Sequence, residues 1–102
     1  MARKTIPKKV PDFEVFGERI PVKIVYIEDA GGHYYPDEKR IEIDSETDPL
    51  QFDRVLLHEV FHSAFDIVSL TAAISPELEE VVVDTLSKVV VKNFNLTRKK
   101  LK

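Results

Sequence analysis

Five consecutive residues carry the chemistry this sequence can do: His58-Glu59-Val60-Phe61-His62. Side chains four apart on a helix stand one above the other, so both imidazoles can reach one metal ion. Glu59, offset by one residue, is placed to hold a water that the metal activates. The ion lowers the water's pKa, the carboxylate takes the proton, and the hydroxide attacks a carbonyl carbon. About one shuffled chain in a hundred of this composition would contain such a motif, so its surroundings decide its meaning. It uses two of the three histidines in the chain, and the absence of cysteine excludes thiolate ligands and thiol nucleophiles. Two imidazoles and a carboxylate buried in a helix layer are costly without a metal or another partner. Catalytic zinc usually takes three protein ligands, and Glu80-Val81-Val82-Val83-Asp84 supplies a candidate, with two carboxylates on one helical face. Glu79 is the alternative ligand if the helix register shifts. Glu77, Glu79 and Glu80 also fit a plain acidic first turn favoured by the helix dipole.

The elements that must position these residues are legible from pattern. Asp48-Pro49 reads as an N-cap followed by proline at the first helical position, with Gln51 where a capping box wants it. Leu50, Val55, Leu56, Leu57, Val60, Phe61, Ala64, Phe65 and Val68 recur at helical spacing. They predict a central, buried helix over 49–68. After a connector over 69–75, Ser75-Pro76-Glu77 repeats the start signal and predicts a helix over 76–94. Leu78, Val82, Leu86, Val89 and Val90 are expected on its apolar side. The valine runs 81–83 and 89–91 favour strand, but the start signal and the length favour helix.

Upstream, two β-hairpins are expected. One joins 13–16 to 20–27 through a turn at Gly17. The other joins 33–35 to 40–44 through Pro36-Asp37-Glu38-Lys39, with Ile41 and Ile43 facing the core and Arg40, Glu42 and Asp44 facing water. The expected fold is α+β, a small, mainly antiparallel sheet packed on the motif helix and the glutamate helix. Residues 1–11 read as a flexible basic arm, 12–96 as the domain and 97–102 as a basic C-terminal tail.

With 102 residues, the chain fits one domain. Its 43% hydrophobic and 32% charged residues suit a soluble globule and not a disordered chain. The net charge of −3 conceals eight basic side chains clustered in 1–9 and 98–102, which leaves a strongly acidic body between them. Such a body attracts cations and basic peptides. The basic ends lack the interleaved aromatics of a nucleic-acid surface, so no nucleic-acid partner is expected. No apolar run approaches the roughly 20 residues of a membrane span, and no apolar stretch follows the basic start as in a secretory leader. A cytoplasmic location is therefore expected.

The two helical motifs resemble the gluzincin clan of zinc peptidases, in which a glutamate of a later helix, within an E-x-x-x-D pattern, completes the zinc site. Glu80-Val81-Val82-Val83-Asp84, 18 residues after His62, matches that pattern. The metzincin extension is excluded, because it would need glycine at Phe65 and histidine at Val68. Over residues 20–95 the order of hairpin, motif helix and glutamate helix is similar to the small ImmA/IrrE-like metallopeptidases of phages and mobile elements, whose minimal versions are called minigluzincins.

The resemblance implies a minimal zincin with one zinc per chain, held by His58, His62 and Glu80. It makes Glu59 the general base and Asp84 the carboxylate that orients His58. It also implies a sheet edge strand that pairs with an extended substrate, a role expected of Arg40, Ile41, Glu42 and Ile43, with Tyr34 and Tyr35 nearby. Larger gluzincins use a downstream histidine or tyrosine on the oxyanion. This chain has neither after Glu80; His33, Tyr34 or Tyr35, or a substrate-facing arginine, could substitute. The expected function is zinc-dependent peptide hydrolysis; the alternative is a zinc-stabilised, non-catalytic or latent protein-interaction module. Peptide or protein substrates and self-association are the expected partner classes.

Overall fold

The computed structural model describes residues 5–99. Four strands and two helices follow in the order β1 (Val10–Val15), β2 (Glu18–Val25), β3 (Gly32–Tyr35), β4 (Arg40–Asp44), α1 (Phe52–Ile67) and α2 (Pro76–Asn93). The architecture is α+β. Each hairpin is antiparallel, and the two join side by side through a parallel β2–β4 pairing, giving the sheet order β1-β2-β4-β3. The β1–β2 turn needs two left-handed residues to match the twist of its strands. Phe16 (φ 49°) and Gly17 (φ 86°) supply them, and the Glu14 carboxylate accepts the Gly17 N–H.

Register places Val22 beside Ile41, Ile24 beside Ile43 and Tyr34 beside Ile41, so one face of the sheet is a continuous apolar surface. Ile20, Ile41 and Ile43 are fully buried there, beneath Phe52, Val55 and Leu56 of α1. Helix α1 lies between the sheet and α2, and α2 has substantial packing only against α1. Both helix starts use the caps read from sequence. Asp48 accepts the Leu50 N–H ahead of a 3-10 turn over Pro49–Gln51, and Ser75 accepts the Leu78 N–H. Gln51 makes no cap bond; its side chain accepts from Arg54 instead.

Three expectations change. β1 begins at Val10, inside the residues read as an arm, because Val10 is buried in the core and pairs with Val22. Arg98, read as part of a basic tail, docks on β1. Its guanidinium donates to the Pro11 and Asp12 carbonyls and stacks 3.6 Å from the Phe13 ring centre. Residues 1–4 of the arm and 100–102 of the tail lie outside the described residues. On α2 the buried residues are Glu79, Val83 and Ser87, while Leu78, Leu86 and Val89 are exposed. The reason is architectural: α2 is the outermost layer, so only the side turned to α1 is covered.

Gly32 sets how closely α1 approaches the sheet. A Cβ there would lie 3.0 Å from Ile43 Cδ1, 3.1 Å from Glu59 Cγ and 3.2 Å from the Glu42 carbonyl oxygen. Gly32→Ala is expected to lower the unfolding free energy by about 1–3 kcal/mol, measurable by urea denaturation. An unchanged midpoint would show that the helix is free to shift away.

Candidate metal centre

Helix α1 presents His58 and His62 on the side facing α2, and α2 returns antiparallel so that Glu80 meets both. His58 Nε2 lies 2.8 Å from one Glu80 carboxylate oxygen, and His62 Nε2 lies 3.0 Å from the other. One donor atom from each of the three residues falls within 4.8 Å of the other two. The two imidazole centroids are 4.9 Å apart at an interplanar angle of 64°. A metal ion bound by the group would take Nε2 of each neutral imidazole as donor, with the ring proton on Nδ1. Two nitrogens and a carboxylate from two elements form a donor set that divalent transition metals accept.

The opposite edge of each imidazole faces a carboxylate, hydrogen-bonded at His62 and at longer range at His58. His62 Nδ1–H donates to Glu79 over 2.6 Å, and His58 Nδ1 lies 3.6 Å from Asp84. Asp84 is itself anchored by Lys88 at 2.8 Å, with Arg54 at 3.9 Å. A carboxylate on the far nitrogen fixes tautomer and ring orientation and raises ligand basicity. Glu79 is buried, and its second oxygen, Oε1, has no hydrogen-bond partner. An orphaned anionic oxygen inside the helix layer is tolerated where positive charge is gathered nearby. The site therefore fits a cation on both its donors and their surroundings.

Glu59 projects beside this group from the same helix and is only 8% exposed. Burial pushes its carboxyl up to about 7; the nearby His62 opposes the rise, Glu80 adds to it, and the Tyr34 backbone hydrogen bond opposes it. A carboxylate poised near neutrality suits general base chemistry at physiological pH. Burial also lowers the pKa of His58, against the pull of Glu80, which favours the neutral imidazole a metal requires.

These side chains border a cleft of about 420 Å³ whose other wall is β3, through Gly32, His33 and Tyr34. His58, Glu59, His62, Glu80 and Asp84 are thus brought together as expected from sequence, and Tyr34 lies on the same cleft. The expected strand is a different matter. β4 is an interior strand, paired on both sides, and the edge beside the cleft is β3. Ile41 and Ile43 are core residues with no exposed surface. Arg40 and Glu42 pair at 2.7 Å, with the guanidinium over the Tyr35 ring and the Tyr35 hydroxyl donating to Glu42. None of these five residues lines the cleft, and an extended chain has backbone to pair with only at Gly32–Tyr35.

Two residues were missed or misassigned. Glu79, considered as an alternative ligand, is the acceptor behind His62, and its signal was its place next to Glu80. Asp66 lines the cleft one turn beyond His62 and accepts from the Tyr34 hydroxyl at 2.7 Å and from Lys39 at 3.2 Å. Its four-residue spacing from His62 was the available sign.

No protein-family model matches the chain, and no curated protein sequence matches it significantly. No helix among the described residues is long and apolar enough to cross a membrane.

Two outcomes follow from this geometry. Glu79→Ala frees His62 Nδ1 and should weaken metal binding about 10–100-fold, read by competition with a chromophoric chelator. In metal-free protein the unfolded chain releases the Glu59 proton near 4.5 and the folded chain near 7. Between those values the folded state binds the extra proton, so Glu59 increasingly destabilises the fold as pH rises. The stability of Glu59→Gln relative to the parent should accordingly rise by on the order of 1–3 kcal/mol from pH 4.5 to 7. A pH-independent difference in denaturation curves would contradict the raised pKa.

Proposed function

We propose that this chain is a zinc-dependent peptide hydrolase. The observation that carries the reading is the meeting of His58, His62 and Glu80 donors beside a buried carboxylate with a raised pKa, all on one cleft. His58 Nε2, His62 Nε2 and Glu80 hold the ion, and Asp84 and Glu79 hold the imidazoles. When bound, zinc supplies Lewis acidity for a scissile carbonyl and makes a water nucleophilic at neutral pH. Glu59 accepts the proton of the attacking water and returns it to the leaving amine. The outer edge of β3, apart from the Tyr34 N–H that Glu59 accepts, aligns the substrate backbone. The resemblance to the minigluzincins supports the same ligand set and the same role for Glu59.

A second reading, a zinc-stabilised module that binds proteins without turnover, is favoured by one specific observation. The hydroxyls of Tyr34 and Tyr35 are already donated, to Asp66 and Glu42. No arginine lines the cleft among the described residues, which leaves His33 on its wall as the candidate donor to an oxyanion. Without such a donor, turnover would fall by roughly 100- to 1,000-fold.

The test is metal content followed by hydrolysis. Protein purified without added metal should carry about one zinc per chain by mass spectrometry, and Glu80→Ala should lose most of it. Glu59→Ala should keep the zinc and lose cleavage of unfolded casein. Zinc without cleavage in the parent protein would select the second reading, and no zinc even after loading would remove both.

A further inference from the structure

Helix α2 has an amphipathic sequence whose apolar side the fold leaves uncovered. Leu78, Val82, Leu86 and Val89 fall within about 80° of the helix circumference at 100° per residue, with Val81 on their flank. Leu78 is 49% exposed, Val81 61%, Leu86 42% and Val89 53%. The buried side, through Val83 and Ser87, lies roughly a quarter-turn further round. An apolar stripe of this kind on an outermost helix marks a contact surface.

Charge along the stripe specifies what fits it. On the flank that carries Val81, Glu77 stands at the N-terminal end, and Lys88 and Lys92 stand toward the C-terminal end. Lys88 is engaged with Asp84 on its own helix at 2.8 Å, which leaves Lys92 as the main exposed positive charge opposite in sense to Glu77. When two identical helices pack antiparallel about a two-fold axis, each flank meets its own copy with the sequence reversed. A register that sets Leu78 against Val89 of the second copy also sets Val81 against Leu86. It brings Glu77 opposite the stretch between Lys88 and Lys92. A parallel two-fold pairing would instead set this charged flank against the opposite one, which carries Val90 and Asn93, and would leave Glu77 and Lys92 without complementary charges. Antiparallel packing opposes the two helix dipoles favourably as well.

We propose that the exposed face of α2 is the surface through which two copies of this chain pair, antiparallel and two-fold symmetric. The contact spans about 17 Å of helix from Leu78 to Val89, so it sits at the small end of specific interfaces and predicts a weak, concentration-dependent dimer.

Sedimentation velocity over a concentration series tests this. The parent protein should shift from monomer to dimer within the micromolar range, up to about 500 µM. Leu86→Glu, at an exposed position, should weaken association at least about tenfold while the circular dichroism spectrum and melting temperature stay near those of the parent. Glu77→Lys and Lys92→Glu should each weaken association, and the two together should restore it to within a few-fold. A parent protein that stays monomeric throughout would overturn the proposal and leave the face to a different partner. A dimer indifferent to Leu86→Glu would overturn it by placing the contact elsewhere. Failure of the double charge exchange to restore association, with folding intact, would overturn the antiparallel arrangement.

Discussion

The contact on which the candidate site depends is the one between the Glu80 carboxylate and the two imidazoles of α1. It crosses from one helix to the other, so it exists only while α2 is packed on α1 in the right register. Slipping α2 by one residue turns Glu80 through about 100° and takes its carboxylate away from the two Nε2 atoms. What fixes the register is the buried face of α2, with Val83 and Ser87 in the same contact that buries Glu79. A fully buried serine on each helix, Ser63 and Ser87, is satisfied by a carbonyl of its own helix, at Val60 and Asp84. The two buried hydroxyls are thus met locally, and the cross-helix polar contacts are left to charged groups and imidazoles.

A second constraint acts from the sheet. Glu59 is buried because α1 lies against β3 and β4, and that approach is set at Gly32, where the Glu59 stem, Ile43 and a β4 carbonyl all crowd the Cα. The same proximity dries the carboxyl and raises its pKa, so the glycine reaches the chemistry through dielectric environment and not through any bond. The Tyr34 N–H bond to Glu59 and the poised carboxylate are therefore two results of one close contact. A side chain larger than hydrogen at position 32 would disturb both at once.

Periodicity, caps and the three-ligand pattern made much of this legible in the sequence. Asp48-Pro49 and Ser75-Pro76 mark real helix starts because their signals are local, a side-chain oxygen reaching a backbone N–H two or three residues on. His58, His62 and Glu80 could be paired because helical spacing fixes which side chains share a face. Strand order was not legible. Nothing in Arg40–Asp44 distinguishes an interior strand from an edge strand, and the parallel β2–β4 pairing that makes β4 interior is a choice between distant segments. The misread face of α2 has a related cause. Apolar periodicity reports what is fit to be covered, and in this chain the covered face is the one that carries Glu79 and two small or branched residues.

The carboxylates clustered around the two histidines give the site a direction. Glu59, Glu79, Glu80 and Asp84 gather around two imidazoles, and among the described residues the basic side chains paired with them are Lys88 and Arg54, both at Asp84. Without a cation, two routes lower the local repulsion, retaining protons on carboxyls and imidazoles or separating α2 from α1. Glu59 is biased toward the first by its burial, to which the neighbouring Glu80 adds. Separating the helices would break the Glu80 contact on which the donor set depends. A divalent ion held by His58, His62 and Glu80 would relieve the repulsion and tie α2 to α1 in the same step, which would make metal affinity and docking of the outer helix a single linked equilibrium.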